Sequence, residues 1–317
     1  MDGVSNGRLV SLIVNAKAGH HLVNGWSLPE QLTQYYQQQG CEVMLYAAAH
    51  PCELSHLAQS AVAVHHARQL EGQQGVIVVV GGDGTINTVA HRLLHTHVPL
   101  GIIPAGTFNY VARALGLPLD QMAAAQITLT GVQRDIHVGM VNQYIYLNNA
   151  SIGLYPHLIE QREADKGRFG RYQTVAMLSG FAVLMRQHQK MRLRMIIDGH
   201  PEPIESPMVF FGNNQLQLTD MHLALAECAA AGKLAAVAMA EVNRLQILAL
   251  IARMQLGTFE QSPQVHSFCA DRISIESRSR SMKLAIDGEV VTVNTPLQFK
   301  VARHALAVMT PHAVTPL

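Results

Sequence analysis

Val76-Ile77-Val78-Val79-Val80-Gly81-Gly82-Asp83-Gly84-Thr85-Ile86-Asn87 joins an apolar run to a cluster of glycines. A run of apolar residues without polar alternation reads as a parallel strand covered on both faces. Glycines follow at once, and residues 85–94 read as a helix. A strand that turns through glycine into a helix aims backbone N–H groups and the positive end of a helix dipole at one point, where an anion binds. Glycine permits the sharp turn and lets backbone approach a phosphate with no side chain between. Thr85 is placed to cap the helix, and Asp83 to hold Mg²⁺ or a nucleotide hydroxyl. The plain alternative is a glycine-rich turn that an aspartate stabilises.

Outward from this loop, strand and helix alternate. Residues 8–14, 42–46 and 100–103 read as further strands. Residues 29–39, 52–70, 109–114 and 121–130 read as helices, the first beginning near Ser27. That order is a doubly wound α/β domain. Two more loops leave the same edge of the sheet. Pro104-Ala105-Gly106-Thr107-Phe108-Asn109 follows the fourth strand, where ligands sit in open α/β sheets; Thr107 and Asn109 offer neutral hydrogen bonds there, or an ordinary helix cap. Val14-Asn15-Ala16-Lys17-Ala18-Gly19 follows the first strand, with Lys17 available to neutralise phosphate. The first strand is not followed by Gly-x-Gly-x-x-Gly and no Gly-Lys-Ser/Thr occurs, which argues against Rossmann and Walker sites.

The pattern changes after Gly131. Strands are expected at 134–140, 144–149, 191–197, 208–212, 233–240, 272–276, 283–286 and 297–302, with helices at 170–187 and 244–255. Short turns such as Asp198-Gly199 and Asp287-Gly288 argue for an antiparallel, sandwich-like second domain. The expected domains are 1–132 and 133–317, with the extreme C-terminus free to pack back on the first, and the default ligand site is the cleft between them.

The 317 residues are 49% apolar and only 14% charged, with a net charge of +1. Such a chain is not disordered, and it lacks the positive field of a nucleic-acid binder. No stretch reaches the ~20 apolar residues of a membrane span; the longest nearly uncharged one, 175–185, reads as buried core or as lining for a lipid pocket. The N-terminus does not read as a secretory signal. Four scattered cysteines, with no Cys-x-x-Cys pair, read as reduced cytoplasmic thiols. His91, His95 and His97 could share a metal but have no Glu or Cys among them, so they read as solvated surface. Arg162, Lys166, Arg168 and Arg171 around Phe169 suit either a loop resting on anionic headgroups or a solvated loop.

Taken together, these residues carry a resemblance. Gly81-Gly82-Asp83-Gly84-Thr85 with Asn87, then Pro104-Ala105-Gly106-Thr107-Phe108-Asn109, resembles the diacylglycerol/sphingosine lipid-kinase family, in its bacterial soluble branch. The likeness extends through Asn148-Asn149-Ala150-Ser151-Ile152-Gly153, Gly212-Asn213-Asn214 and Ile286-Asp287-Gly288-Glu289, nearly the whole chain. It implies a transferase of phospholipid metabolism that uses ATP and Mg²⁺ to phosphorylate a diacylglycerol-like or sphingoid hydroxyl. It further implies a cytoplasmic protein touching the membrane transiently, compatible with a homodimer and binding no nucleic acid. Carried over by position, Asn15, Gly81, Gly82, Asp83, Gly84, Thr85, Ile86, Asn87, Gly106, Thr107 and Asn109 bind the nucleotide and Asp83 the metal. Asp287 accepts the hydroxyl proton with Glu289 in support. The residues alone do not choose between Asp198 and Asp287, because Ile-Asp-Gly occurs twice; the family's late Asp-Gly-Glu decides for Asp287.

The chain departs from the family at Ala16 (usually Pro), Thr88 (usually Glu) and Tyr110 (usually Asp). Ala231-Gly232-Lys233-Leu234 stands where some members hold a second, structural Mg²⁺ with Asp-Gly-x-Leu. Residues 46–50 lack a threonine that some members place on ATP. Two rival readings follow: a lipid- or nucleotide-binding regulator without catalysis, and a kinase of a soluble metabolite as in the related NAD kinases.

Overall fold

A computed structural model describes residues 7–15, 27–153, 156, 191–220, 223–240, 242, 246, 249–250, 252–253 and 256–312. Lys17, the basic cluster around Phe169, the expected helix 170–187 and much of 244–255 lie outside them. The chain divides into two compact units, Met1–His137 with His304–Leu317, and Val138–Arg303.

In the first unit β1 (Leu9–Asn15), α1 (Leu28–Gln38), β2 (Glu42–Ala48), α2 (Leu54–Leu70), β3 (Gly75–Gly81), α3 (Asp83–Leu93), β4 (Leu100–Pro104), α4 (Tyr110–Ala114) and α5 (Gln121–Thr130) follow in chain order. The strands pair in parallel as β2-β1-β3-β4. Both faces are covered. Val10, Leu12, Val14, Val76, Val78 and Val80 pack with Leu28, Leu32 and Tyr36 of α1 and Ala124 and Ala125 of α5. The alternate residues Leu9, Ile13, Ile77 and Val79 are equally buried, and on that face His65 of α2 meets Ser11. This two-sided burial is why the strands carry no polar alternation. Ser27 and Glu30 form a capping box at α1, Glu30 accepting from the Ser27 N–H at 2.8 Å. Asp120 caps α5 through the Ala123 N–H.

The second unit contains two antiparallel sheets. One is ordered β12 (Val265–Ala270), β11 (Leu234–Met239), β10 (Met208–Gly212), β7 (Asn149–Gly153), β14 (Ser281–Ile286), β15 (Glu289–Asn294). After β4 and α5 come β5 (Val132–Val141) and β6 (Tyr144–Tyr146), an antiparallel pair. In the other sheet, the start of β16 (Leu297–Thr310) pairs with β13 (Arg272–Glu276), then β8 (Met191–Ile197) and β9 (His200–Ser206). The sheets share one core: Ile152, Val209, Phe211, Leu234, Ala236 and Leu284 face Leu193, Met195, Ile273, Ile275, Leu297 and Phe299. Phe211 and Phe299 stack with ring centroids 3.7 Å apart. On the outer side of β11, Ala235, Val237 and Met239 are covered by residues of α6 (Gln215–Asp220) and α7 (Leu225–Ala230).

The expected α/β domain followed by a β-sandwich is therefore the architecture. Two details differ from the sequence reading. Cys228 of α7 and Cys269 of β12 form a disulfide, with Cα atoms 5.8 Å apart, rather than standing as reduced thiols; α7 packs beside β12, closing a separation of 41 residues that sequence spacing does not reveal. Cys41 and Cys52 are free. The helix after the glycines starts at Asp83, so its cap is Gly82 and not Thr85. No helix among the described residues is long and apolar enough to cross a membrane.

Candidate functional site

The order β2-β1-β3-β4 reverses direction between β1 and β3, and in open α/β sheets ligands collect beyond the carboxyl ends of the strands at such a point. Asn15 ends β1 and Gly81 ends β3. Asn15 Nδ2 donates to Thr85 Oγ1 at 3.1 Å, tying the two loops across this switch. Thr85 is buried in the first turn of α3 because Gly81 leaves it room: a Cβ there would strike the Thr85 side chain. Ile86 is fully buried, so its side chain serves the core, and Ile86 N–H bonds to the Gly82 carbonyl. Asn87, one turn into the helix, is partly exposed.

The second loop closes on the first. A Cβ on Gly106 would lie 2.5 Å from Gly82 Cα, so the two loops meet backbone to backbone only because both positions lack side chains. Asn109, with φ of 52°, caps α4 in the left-handed region. Its side chain bonds back to the same glycine, Oδ1 accepting from Gly106 N–H at 2.9 Å and Nδ2 donating to Gly106 O at 3.0 Å. Thr107 is exposed beside Gly106. Asp83 joins the loops again, accepting from Tyr110 N–H at 3.2 Å and Val111 N–H at 3.0 Å. Its carboxylate thus clamps the first N–H groups of α4, while each oxygen retains lone-pair capacity.

This cradle fits a phosphate. The first N–H groups of α3 have no partner within the helix, and the glycines let an oxyanion come up to them. Among the described residues no three His, Cys, Asp or Glu gather into a metal cluster. A nucleotide-borne Mg²⁺ keeps waters and phosphate oxygens and asks for only one or two carboxylates, and Asp83 is the carboxylate at these loops.

In the second unit the late motifs converge. Asn149 begins β7, Gly212 ends β10 and Ile286 ends β14, and these strands are neighbours in register, so all three termini share one sheet end. Asp287, φ 46°, leads the turn into β15. Its carboxylate accepts three backbone N–H bonds, from Leu147 at 2.8 Å, Asn148 at 2.9 Å and Asn149 at 3.0 Å. Asn148 is buried and its Oδ1 accepts from Asn214 Nδ2 at 2.9 Å, while Asn213 Nδ2 donates to Leu147 O. Burial, reinforced by the Asp287 charge, pushes the Tyr146 phenol above its ordinary pKa. Glu289 is exposed at the start of β15. Sequence alone assigns Asn148, Asn213 and Asn214 no role. The repeated Asn in both segments was the available signal, but register had to supply the contact.

Asp198 is an internal comparison. With φ of 48° it occupies an equivalent turn, and its carboxylate accepts from Asp271 and Arg272 N–H groups. Both Ile-Asp-Gly turns therefore use aspartate as a backbone clamp. Of the two, Asp287 is the one joined to the asparagine cluster.

Residues 10–141 match the family described as the diacylglycerol kinase catalytic domain, and residues 160–310 match the YegS C-terminal NAD kinase beta sandwich-like domain. Residues 10–141 thus form a diacylglycerol kinase catalytic domain, and the sandwich-like domain follows it. A diacylglycerol kinase of Bacillus subtilis (strain 168) is 37% identical over 126 residues, a match spanning 39% of each chain. One from Staphylococcus saprophyticus is 27% identical over 70% of this chain and 73% of that protein. The solved structure of a diacylglycerol kinase from Bacillus anthracis str. Sterne shares the fold, with a TM-score of 0.67 and 21% identity over 97% of this chain and 98% of that one. The diacylglycerol kinase domain here carries the glycine loops, and the sandwich domain carries the Asp287 cluster.

Proposed function

We propose that the protein is an ATP-dependent lipid kinase that transfers the γ-phosphate to a hydroxyl of a diacylglycerol-like or sphingoid lipid. The observation that carries this reading is the backbone-to-backbone approach of Gly82 and Gly106 at the carboxyl ends of β3 and β4, within a domain matching the diacylglycerol kinase model. Phosphoryl transfer is mostly positioning and charge stabilisation. The N–H groups opening α3 would bind phosphate oxygens, Asn15 and Thr85 would hold the loop to β1, and Gly106, Thr107 and Asn109 would shape its other wall. Asp83 would help hold Mg²⁺, which would supply neutralising charge for the phosphates.

Asp287 is assigned to the acceptor hydroxyl. Three N–H bonds hold its carboxylate at the turn. Its first task is therefore to orient the turn at Leu147–Asn149, and it takes the proton late in the transfer; Glu289 supports it from the exposed side. The lipid substrate would be met by transient contact with the inner membrane face, from the cytoplasm.

Incubation with labelled ATP, Mg²⁺ and vesicles of a total lipid extract should yield a labelled lipid, identified by mass. An absence of ATP turnover with any lipid would reject the kinase and favour a binding protein. The second family model, described as NAD kinase beta sandwich-like, favours one rival: a soluble-metabolite kinase, which would work without vesicles.

A further inference from the structure

A cavity of about 220 Å³ lies at the end of the first unit's sheet opposite the glycine loops. It is lined by the residues that lead into β1, β3 and β4, namely Arg8, Gln74 and Pro99, together with Gln73, His65 and Gln69. Two features set it apart from a solvated crevice. Among the described residues the partly buried Arg8 guanidinium has no ion-pair partner; its Nη1 donates to the Leu129 carbonyl, and its Nε–H is buried with no acceptor among them. Gln73 is only 6% exposed, and its Oε1 is buried with no donor. Its Nε2 is already committed to Gly7 O and Glu42, and Glu42 is in turn paired with Arg68. A desolvated cation without a carboxylate and an orphaned buried carbonyl are both costly unless a partner meets them.

One ligand answers both. We infer that this cavity binds a small oxyanion that carries its own O–H donor, with inorganic hydrogen phosphate as the simplest case. The oxyanion would accept from Arg8, whose planar fork suits phosphate, and the P–OH would donate to Gln73 Oε1. His65 contributes no charge to the site, since burial keeps its imidazole neutral and its Nε2 is paired with Ser11 at 3.0 Å. Exposed Gln69, Gln133 and His97 on the rim give solvent access. The requirement for a donor also sets the selectivity: sulfate has the size and charge but no proton at neutral pH, and leaves Gln73 unsatisfied.

Calorimetric titration of the full chain tests this. Phosphate should bind at least tenfold more tightly than sulfate at equal ionic strength. R8Q should remove one equivalent of phosphate binding. Q69E, which alters only an exposed wall residue and places a negative charge beside the anion, should weaken the same equivalent tenfold or more and covers the case in which R8Q fails to fold. Phosphate isotherms for the folded variants that superpose on the unmodified protein's, or equal binding of sulfate and phosphate, would overturn the inference.

Discussion

Asp287 holds a left-handed backbone conformation and three N–H bonds at once, so its substitution should be felt in two measurements. Asp287→Asn keeps the size but turns an amide NH₂ toward backbone donors. It should lower stability by about 2 kcal/mol, seen as a reduced urea midpoint, and reduce lipid phosphorylation by roughly 10²–10⁴-fold. Unchanged stability with lost turnover would leave proton transfer as its only role. His65 makes a different prediction. Burial, with a smaller contribution from His66, lowers its pKa from 6.5 to about 4. As pH falls from 6.5 toward about 4, the unfolded chain takes up a proton that the folded chain refuses, so stability falls with pH across that window. The loss is on the order of 3 kcal/mol at 1.4 kcal/mol per pH unit. His65→Gln should show a shallower decline of urea midpoint between those pH values; parallel declines would count against the assignment.

At the scale of elements, the two glycine loops behave as one device. Gly106→Ala would push a methyl group into Gly82 Cα, separating the loops while leaving the strands intact. Nucleotide affinity should fall by about tenfold or more, equivalent to at least ~1.4 kcal/mol, with the far-ultraviolet spectrum unchanged. The strands tell which elements are legible from sequence. β1, β3 and β4 of the first unit are buried on both faces and read directly from their apolar runs. Of the four strands not named from sequence, β9, β12 and β15 lie at sheet edges among the described residues, whereas β7 is central and was hidden behind the single strand expected at 144–149. β9 carries Pro201 and Pro203 and is largely exposed, as edge strands tolerate. β15 and β12 show too little burial for a clear pattern, although the Asp-Gly turns at 198–199 and 287–288 marked where β9 and β15 begin.

At the scale of the whole molecule, the Cys228–Cys269 disulfide joins the helical cover of the second unit to its sheet. Closing a loop of this length restricts the unfolded chain and typically contributes about 2–4 kcal/mol. Cys228→Ala should melt several degrees lower than the oxidised protein, and reductant should bring the unmodified protein down to the same temperature. Equal melting of all three would mean that the bond adds no stability.

Local residue patterns suffice for the alternation of strand and helix, the glycine loops at the strand ends and the antiparallel character of the second half. These are local properties: burial on both faces, backbone freedom at glycine and turn chemistry are each written within a few neighbouring residues. Only the tertiary structure decided that Asp83 clamps α4, that Asn15 reaches Thr85, and that Asn148, Asn214 and Asp287 meet although 66 and 139 positions separate Asn148 from the other two. Those contacts depend on which strands are neighbours and in what register. Both follow from packing summed over whole sheets, which no single stretch of the chain records.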